Sequence, residues 1–365
     1  MKSTKPYRFY AAEISYFSGK VRPFFRYKQI PYEEIAPTPQ VYREVIITRT
    51  GLGFIPVVVT PDDETLQDTS DILDALERRF PTPPVYPPTP VQRVVAYLLE
   101  VYADEFCVLP AMHYRWSFPE SEAKAREDFA RATGNPETAR PFADRMKGSL
   151  PLLGVHPESI PAIEAHLRDL LDILSRHFEA HDFLLGSRMS LADLALLGPF
   201  YAHLYLDAVP GRLLRETAPR VCAWIERMNH PQPRSGAFVP DDALPPTLRP
   251  LLELVGRDAV PFLLDNLHAV EVWADGKPAD LVEPPRGVGT HETTLRGVRF
   301  QRFTSPYTLW MVQRPLDAYR ALTPADRARV DSALNGTGLE ALLRFTPRHR
   351  LGKRYFKLVF EKTVV

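Results

Sequence analysis

A valine run entered through a proline, Ile55-Pro56-Val57-Val58-Val59, constrains this chain more than any other feature. Proline has no N–H to give to a sheet ladder, so Pro56 belongs at the entrance of a strand, with the backbone groups of Ile55 left free to pair with something else. An X-Pro bond in that position is a candidate for the cis form. Two other segments stand on either side of it. Ser15-Tyr16-Phe17-Ser18-Gly19-Lys20-Val21-Arg22 reads as a hydroxyl-rich turn opening a helix. Such a turn aims unpaired N–H groups and the positive end of the helix dipole at whatever lies beside Ser15, an environment that favours a thiolate. Leu66-Gln67-Asp68-Thr69-Ser70 leads into Ile72, Leu73, Leu76 and Phe80, one face of a second helix, with Thr69 expected as its N-cap. Donors at that end suit a carboxylate, and Asp68 suits an amine. The three segments together describe a cleft for a small anionic peptide.

In order and spacing, residues 1–80 resemble the thioredoxin-like domain of a glutathione transferase. Ser15 stands five positions ahead of the basic Lys20-Val21-Arg22 turn, Ile55-Pro56 resembles the cis-proline element, and Asp68-Thr69 takes the place of the usual Glu-Ser or Gln-Ser pair. Asp71 stands where a small residue is usual. The resemblance implies that Ser15 activates the thiol of glutathione, with Tyr16 the nearest substitute and Ser18 a helix-start hydroxyl. It also implies that Tyr16, Phe17, Ser18, Ile55, Pro56, Asp68 and Thr69 hold the tripeptide. Read from its residue type alone, Ser15 is equally an ordinary N-cap. Further along, Phe183 to Asp193 resembles part of the family's all-helical second domain, and Pro219 to Met228 its closing helix. Ser190-x-x-Asp193 reads as a capping box without help from the family.

The fold class expected is therefore an α/β thioredoxin-like domain (1–80), an all-α domain (91–230) and a mixed, mainly helical C-terminal extension (231–365). Six of the ten residues from Pro81 to Pro90 are proline, a stiff linker between the first two. Lys plus Arg and Asp plus Glu are 45 each, so net charge gives no bias toward nucleic acid or a membrane surface. Two cysteines, Cys107 and Cys222, argue for buried free thiols and against an oxidised scaffold. Met1 to Pro6 lacks an apolar segment behind its lysines, so no signal peptide is expected, and no apolar run approaches membrane-spanning length. A cytoplasmic protein is the expectation.

Inside the helical region, Asp104, Glu105, His113, Tyr114, Arg115 and Trp116 stand out. They read either as packing around Tyr114 and Trp116 with an ion-pair network of Asp104, Glu105 and Arg115, or as a substrate pocket able to bind or protonate an electrophile. A metal is not expected, because no second histidine stands at ligand spacing from His113. The extension resembles the tail of an uncharacterised bacterial branch of the superfamily. Leu248–Trp273 and Leu316–Leu343 read as helical, and Leu295–Gln301 as a strand. Tyr307, Trp310, Gln313 and Arg314 are expected to pack this appendage onto the helical domain. Arg348, Arg350, Lys353, Arg354 and Lys357 read as a solvated face. The resemblance implies a transferase that activates glutathione, as co-substrate and without a metal, for attack on a small electrophilic or hydrophobic molecule, and a homodimer. The alternatives are a non-catalytic binding or scaffold protein, or a glutathione-dependent isomerase or reductase. The last is disfavoured by the absence of cysteine at positions 15 and 18, since serine forms no mixed disulfide.

Overall fold

The computed structural model describes residues 5–232, 236–277 and 282–361. Met1–Thr4, where the leader argument begins, lie outside the described residues. The first region is a four-stranded sheet in the order β2-β1-β3-β4, with β1 (Tyr7–Tyr10) parallel to β2 (Tyr32–Ile35) and antiparallel to β3 (Val57–Val59), which pairs with β4 (Thr65–Gln67). The two-residue period of the strands sorts the side chains. Phe9 and Val58, opposite each other, enter the main core beneath the Tyr16–Tyr27 and Thr69–Arg79 helices, while Tyr10, Val57 and Val59 pack with Ile46 on the other face. Both faces are covered, which explains why the three valines run without alternation.

The proline-rich linker is not free. Val85 and Tyr86 are buried, the Val85 carbonyl accepts from Leu191 N–H at 2.8 Å, and Lys28 Nζ reaches the carbonyls of Phe80 and Pro83 at 2.6 and 2.5 Å. Eight helices follow, from Pro90–Val101 to Pro219–Asn229, together with single turns of helix. The Ser190/Asp193 capping box forms in both directions, and Asp193 also accepts from Leu184 N–H and from the Trp224 indole. The Leu191–Pro199 helix crosses the Tyr16–Tyr27 helix so closely that a Cβ on Gly198 would stand 2.9 Å from the Tyr16 carbonyl oxygen. Only glycine permits that approach.

The extension continues the same core. Helices Arg249–Leu254, Val260–Asp275 and Pro306–Arg320 bury Leu263, Leu267, Leu309, Met311 and Val312 in one cluster with the residues of the first two regions. Two hairpins flank them: β5 (Thr290–Leu295) with β6 (Val298–Phe303), and β7 (Leu351–Arg354) with β8 (Lys357–Phe360). Of the basic residues near the end, Arg348, Arg350, Arg354 and Lys357 stay largely exposed, as a solvated face requires, and Lys353 departs from it. Lys353 is only 14% exposed, Arg350 pairs with Asp317, and Arg348 with Glu271. No helix among the described residues is long and apolar enough to cross a membrane.

Candidate functional site

The helix beginning at Tyr16 and the helix beginning at Thr69 start on the same side of the sheet as the Ile55–Pro56 bond, which is cis. Ser15 is the N-cap of the first helix, its Oγ accepting from Ser18 N–H at 3.3 Å, and it is half-buried. Ile55 N–H and C=O have no backbone partner among the described residues. At the second helix the cap is Asp68, not Thr69. Asp68 sits at φ 77° and accepts from Ser70 N–H at 3.0 Å, so Thr69 becomes the first helical residue and is buried. The longer reach of a carboxylate and its tolerance of left-handed backbone explain the one-residue shift.

Asp68 is not open to solvent. Its other oxygen, Oδ2, accepts from the Tyr307 hydroxyl at 2.6 Å and lies 3.0 Å from Lys353 Nζ, leaving the side chain 11% exposed. Lys353 also holds Asp71 at 2.7 Å and stands 3.4 Å above the Trp310 ring. Burial, reinforced by the adjacent Asp68 carboxylate, keeps the Tyr307 hydroxyl protonated and therefore a donor. One helical turn on, Arg314 joins Asp74 (2.8 Å) to Glu100 (3.1 Å), and Met311 Sδ touches Ser70 Oγ at 3.8 Å. The extension thus covers the start of the Thr69–Arg79 helix with a hydroxyl, an ammonium and a guanidinium. Tyr307, Trp310 and Arg314 were expected to touch the helical domain. They also reach the first region, and Lys353, the residue that completes the cover, gave no sequence signal beyond being one basic residue among several.

Beneath this cover lies a buried charge network. Lys20 Nζ meets Asp104 Oδ2 at 2.6 Å, Glu100 Oε1 at 2.7 Å and Ser70 Oγ at 3.2 Å. Burial opposes ionisation of Glu100, but Arg314 and Lys20 overcome it and hold the carboxyl at about 2. Asp104 is lifted to about 7 by burial, with Glu100 beside it adding to the rise against the pull of Lys20. Two buried carboxylates around one ammonium cannot both be charged cheaply, so the second acid takes the proton.

The remaining expected residues scatter. Tyr16 is buried and its hydroxyl donates to the Ala103 carbonyl at 2.5 Å, so it packs the helix crossing and is not a substitute for Ser15. Ser18 is buried, accepting from Ala12 N–H, and Phe17 stays half-buried against Tyr16. Asp104, Glu105 and Arg115 do not form a network. Asp104 belongs to Lys20, Glu105 accepts from the Thr308 hydroxyl, and Arg115 pairs with Asp207 at 2.7 Å and with the carbonyls of Ile14 and Ala202. His113 lies between Ser117 and Glu164, Tyr114 stacks on Phe118, and Trp116 stacks on Phe129 in a satellite core with Ala125 and Ala143. Of the helical-region candidates, Asp104 and Glu105 lie toward the Asp68 end of the cleft, and Arg115 reaches the turn before Ser15 through the Ile14 carbonyl. No cluster of three or more His, Cys, Asp or Glu side chains among the described residues is arranged to hold a metal.

A thioredoxin-like sheet with a cis-proline, joined to a bundle whose buried capping box follows the linker, defines the two-domain glutathione transferase class. The comparisons agree. Residues 9–84 match the family Glutathione S-transferase, N-terminal domain, and residues 156–231 match Glutathione S-transferase, C-terminal domain. Residues 9–84 and 156–231 thus carry the two domains of the glutathione transferase superfamily, and a C-terminal extension follows them. Among solved structures it is similar to a glutathione S-transferase from Rhodospirillum rubrum F11 (18% identity over 67% of this chain and 91% of that one, TM-score 0.43). It is similar also to one from Methylobacterium radiotolerans in complex with glutathione sulfonate (20%, 64% and 98%, TM-score 0.40). A third is the beta-etherase LigF from Sphingobium sp. strain SYK-6 (17%, 68% and 99%, TM-score 0.45). No curated protein matches the sequence.

Proposed function

We propose that this is a glutathione-transferase-like binding or scaffold protein whose peptide cleft is held shut by its own extension. One observation carries the reading: the Asp68 carboxylate, the group suited to a ligand amine, is already satisfied by Tyr307 and Lys353. A ligand would have to replace a buried hydrogen bond and a largely buried ion pair before gaining its own, so the exchange yields little net affinity. Calorimetric titration of the full chain with glutathione tests this. The expected result is no heat of binding at millimolar concentration. Binding at micromolar concentration would overturn it.

The second reading is the transferase, in which Ser15 activates the glutathione thiol for attack on a small electrophile within a homodimer. It is favoured by the half-exposed Ser15 hydroxyl at a helix entrance and by the free Ile55 backbone beside cis Pro56. On this reading Ser15→Ala raises the pKa of bound glutathione, read as a shift of thiolate absorbance with pH, while the fold stays intact.

A further inference from the structure

Most buried cations in this protein are paired: Arg115 with Asp207, Arg314 with Asp74 and Glu100, Lys20 with Glu100 and Asp104. Arg302 is different. It lies on β6 directly across from His291 on β5, on the inward face with Thr293, Leu295 and Phe300, and is 4% exposed. Its Nε and Nη1 are buried without a hydrogen-bond partner, and so is Nε2 of His291. The guanidinium carbon stands 3.8 Å from the centroid of the Phe262 ring and 5.4 Å from that of Phe303. Stacking on an aromatic face fixes the plane of a guanidinium but leaves its edges, where the N–H groups point, unused. Glu105 is the carboxylate that acts on Arg302 electrostatically, yet it forms no ion pair with it and accepts from Thr308.

His291 completes the polarity. Its Nδ1 is 2.9 Å from Thr304 Oγ1, and burial, with Arg302 beside it, holds the ring neutral down to about 4. In the tautomer in which Nδ1 accepts from the Thr304 hydroxyl, Nε2 carries the proton and is a second buried donor without an acceptor. A buried guanidinium and an imidazole N–H side by side, with no acceptor for either, form a donor set that lacks its anion.

We propose that Arg302 and His291 bind a small oxyanion, a carboxylate, phosphate or sulfate group, at the inward face of the β5–β6 hairpin. The site belongs to the extension and stands whether or not glutathione binds at Asp68. The test is thermal unfolding of the full chain in sulfate, phosphate or acetate against chloride at matched ionic strength, for the wild type and for Arg302→Met, which keeps the volume and the contact with Phe262. The expected result is a saturable rise in Tm of the wild type by several degrees with at least one of the three anions. In Arg302→Met only the small general effect of the salt should remain. Isothermal titration with the responding anion should show binding at least tenfold weaker for Arg302→Lys, which keeps the charge and loses the fork. Equal salt responses in wild type and Arg302→Met would make Arg302 a stacking residue only and overturn the proposal. A wild type indifferent to all three anions would do so without any variant.

Discussion

The two ends of the cleft have been treated differently. At the Asp68 end every charge is matched: Tyr307 and Lys353 arrive from the extension, Arg314 bridges Asp74 and Glu100, and Lys20 sits beneath. At the Ile55 end nothing from the extension pairs with the backbone among the described residues; the Arg286 guanidinium stands 4.4 Å from the Phe54 ring centroid at an exposed rim. The difference teaches that the charged half of such a cleft can be satisfied from the far end of the same chain, whereas its backbone half, which offers only amide groups, attracts no comparable partner. Closure here is electrostatic and one-sided.

That contrast can be broken most severely from below. Lys20→Met should destabilise the protein by about 3–5 kcal/mol, because Glu100 and Asp104 would be left buried without their ammonium. Urea unfolding measures it, and a loss under 1 kcal/mol would mean that Arg314 alone holds the filled end together. Next, the double variant Tyr307→Phe with Lys353→Met frees Asp68 while keeping bulk. Glutathione binding should then become detectable by calorimetry, a gain of about 2–4 kcal/mol over the wild type. If the variant stays silent, the helix itself, and not its charges, fills the space.

A smaller effect is set by pH. Asp104 is raised in the fold, so its contribution is fully present below the ordinary carboxylate range and is lost as pH rises through about 7. The urea midpoint should therefore fall between pH 5 and pH 8, by roughly 2 kcal/mol in stability, and Asp104→Asn should flatten the profile. A wild type equally stable at both values would show that the proton is not shared in this network. The smallest effect belongs to the open end. Ser15→Ala should cost about 1 kcal/mol as a lost N-cap. Glutathione bound to the Tyr307→Phe, Lys353→Met protein should keep its thiolate titration in that background. A raised thiol pKa would turn Ser15 from a cap into an activator.

The elements legible in the sequence were those whose signal is local. Pro56 before three valines, the Ser190-x-x-Asp193 box and the apolar face from Ile72 to Leu76 each encode their structure within a few residues, and each stands where expected. The cap at Asp68 was misplaced by one position because Asp and Thr are both good caps and only backbone geometry separates them. What local pattern could not convey was pairing across the chain. Lys353 looked like any solvated lysine of a basic stretch, yet it meets Asp68 and Asp71 over more than 280 residues, and Arg302 lay just beyond the weak strand signal of Leu295–Gln301. Arg115 and Trp116 read equally well from local pattern as packing or as part of a substrate pocket. Their partners, Asp207 and Phe129, are distant in sequence and make them structural.

The glycine contact between the first two regions bears on how anything reaches the cleft. With Gly198 against the Tyr16 carbonyl and ring, the two helices meet backbone to backbone at that point, a close-packed contact that leaves little room for a rocking motion. On the proposed reading of a cleft shut by its extension, access depends on the extension letting go. A ligand for the cleft would enter no faster than Tyr307 and Lys353 release Asp68, so its observed association rate would level off with rising concentration instead of climbing in proportion.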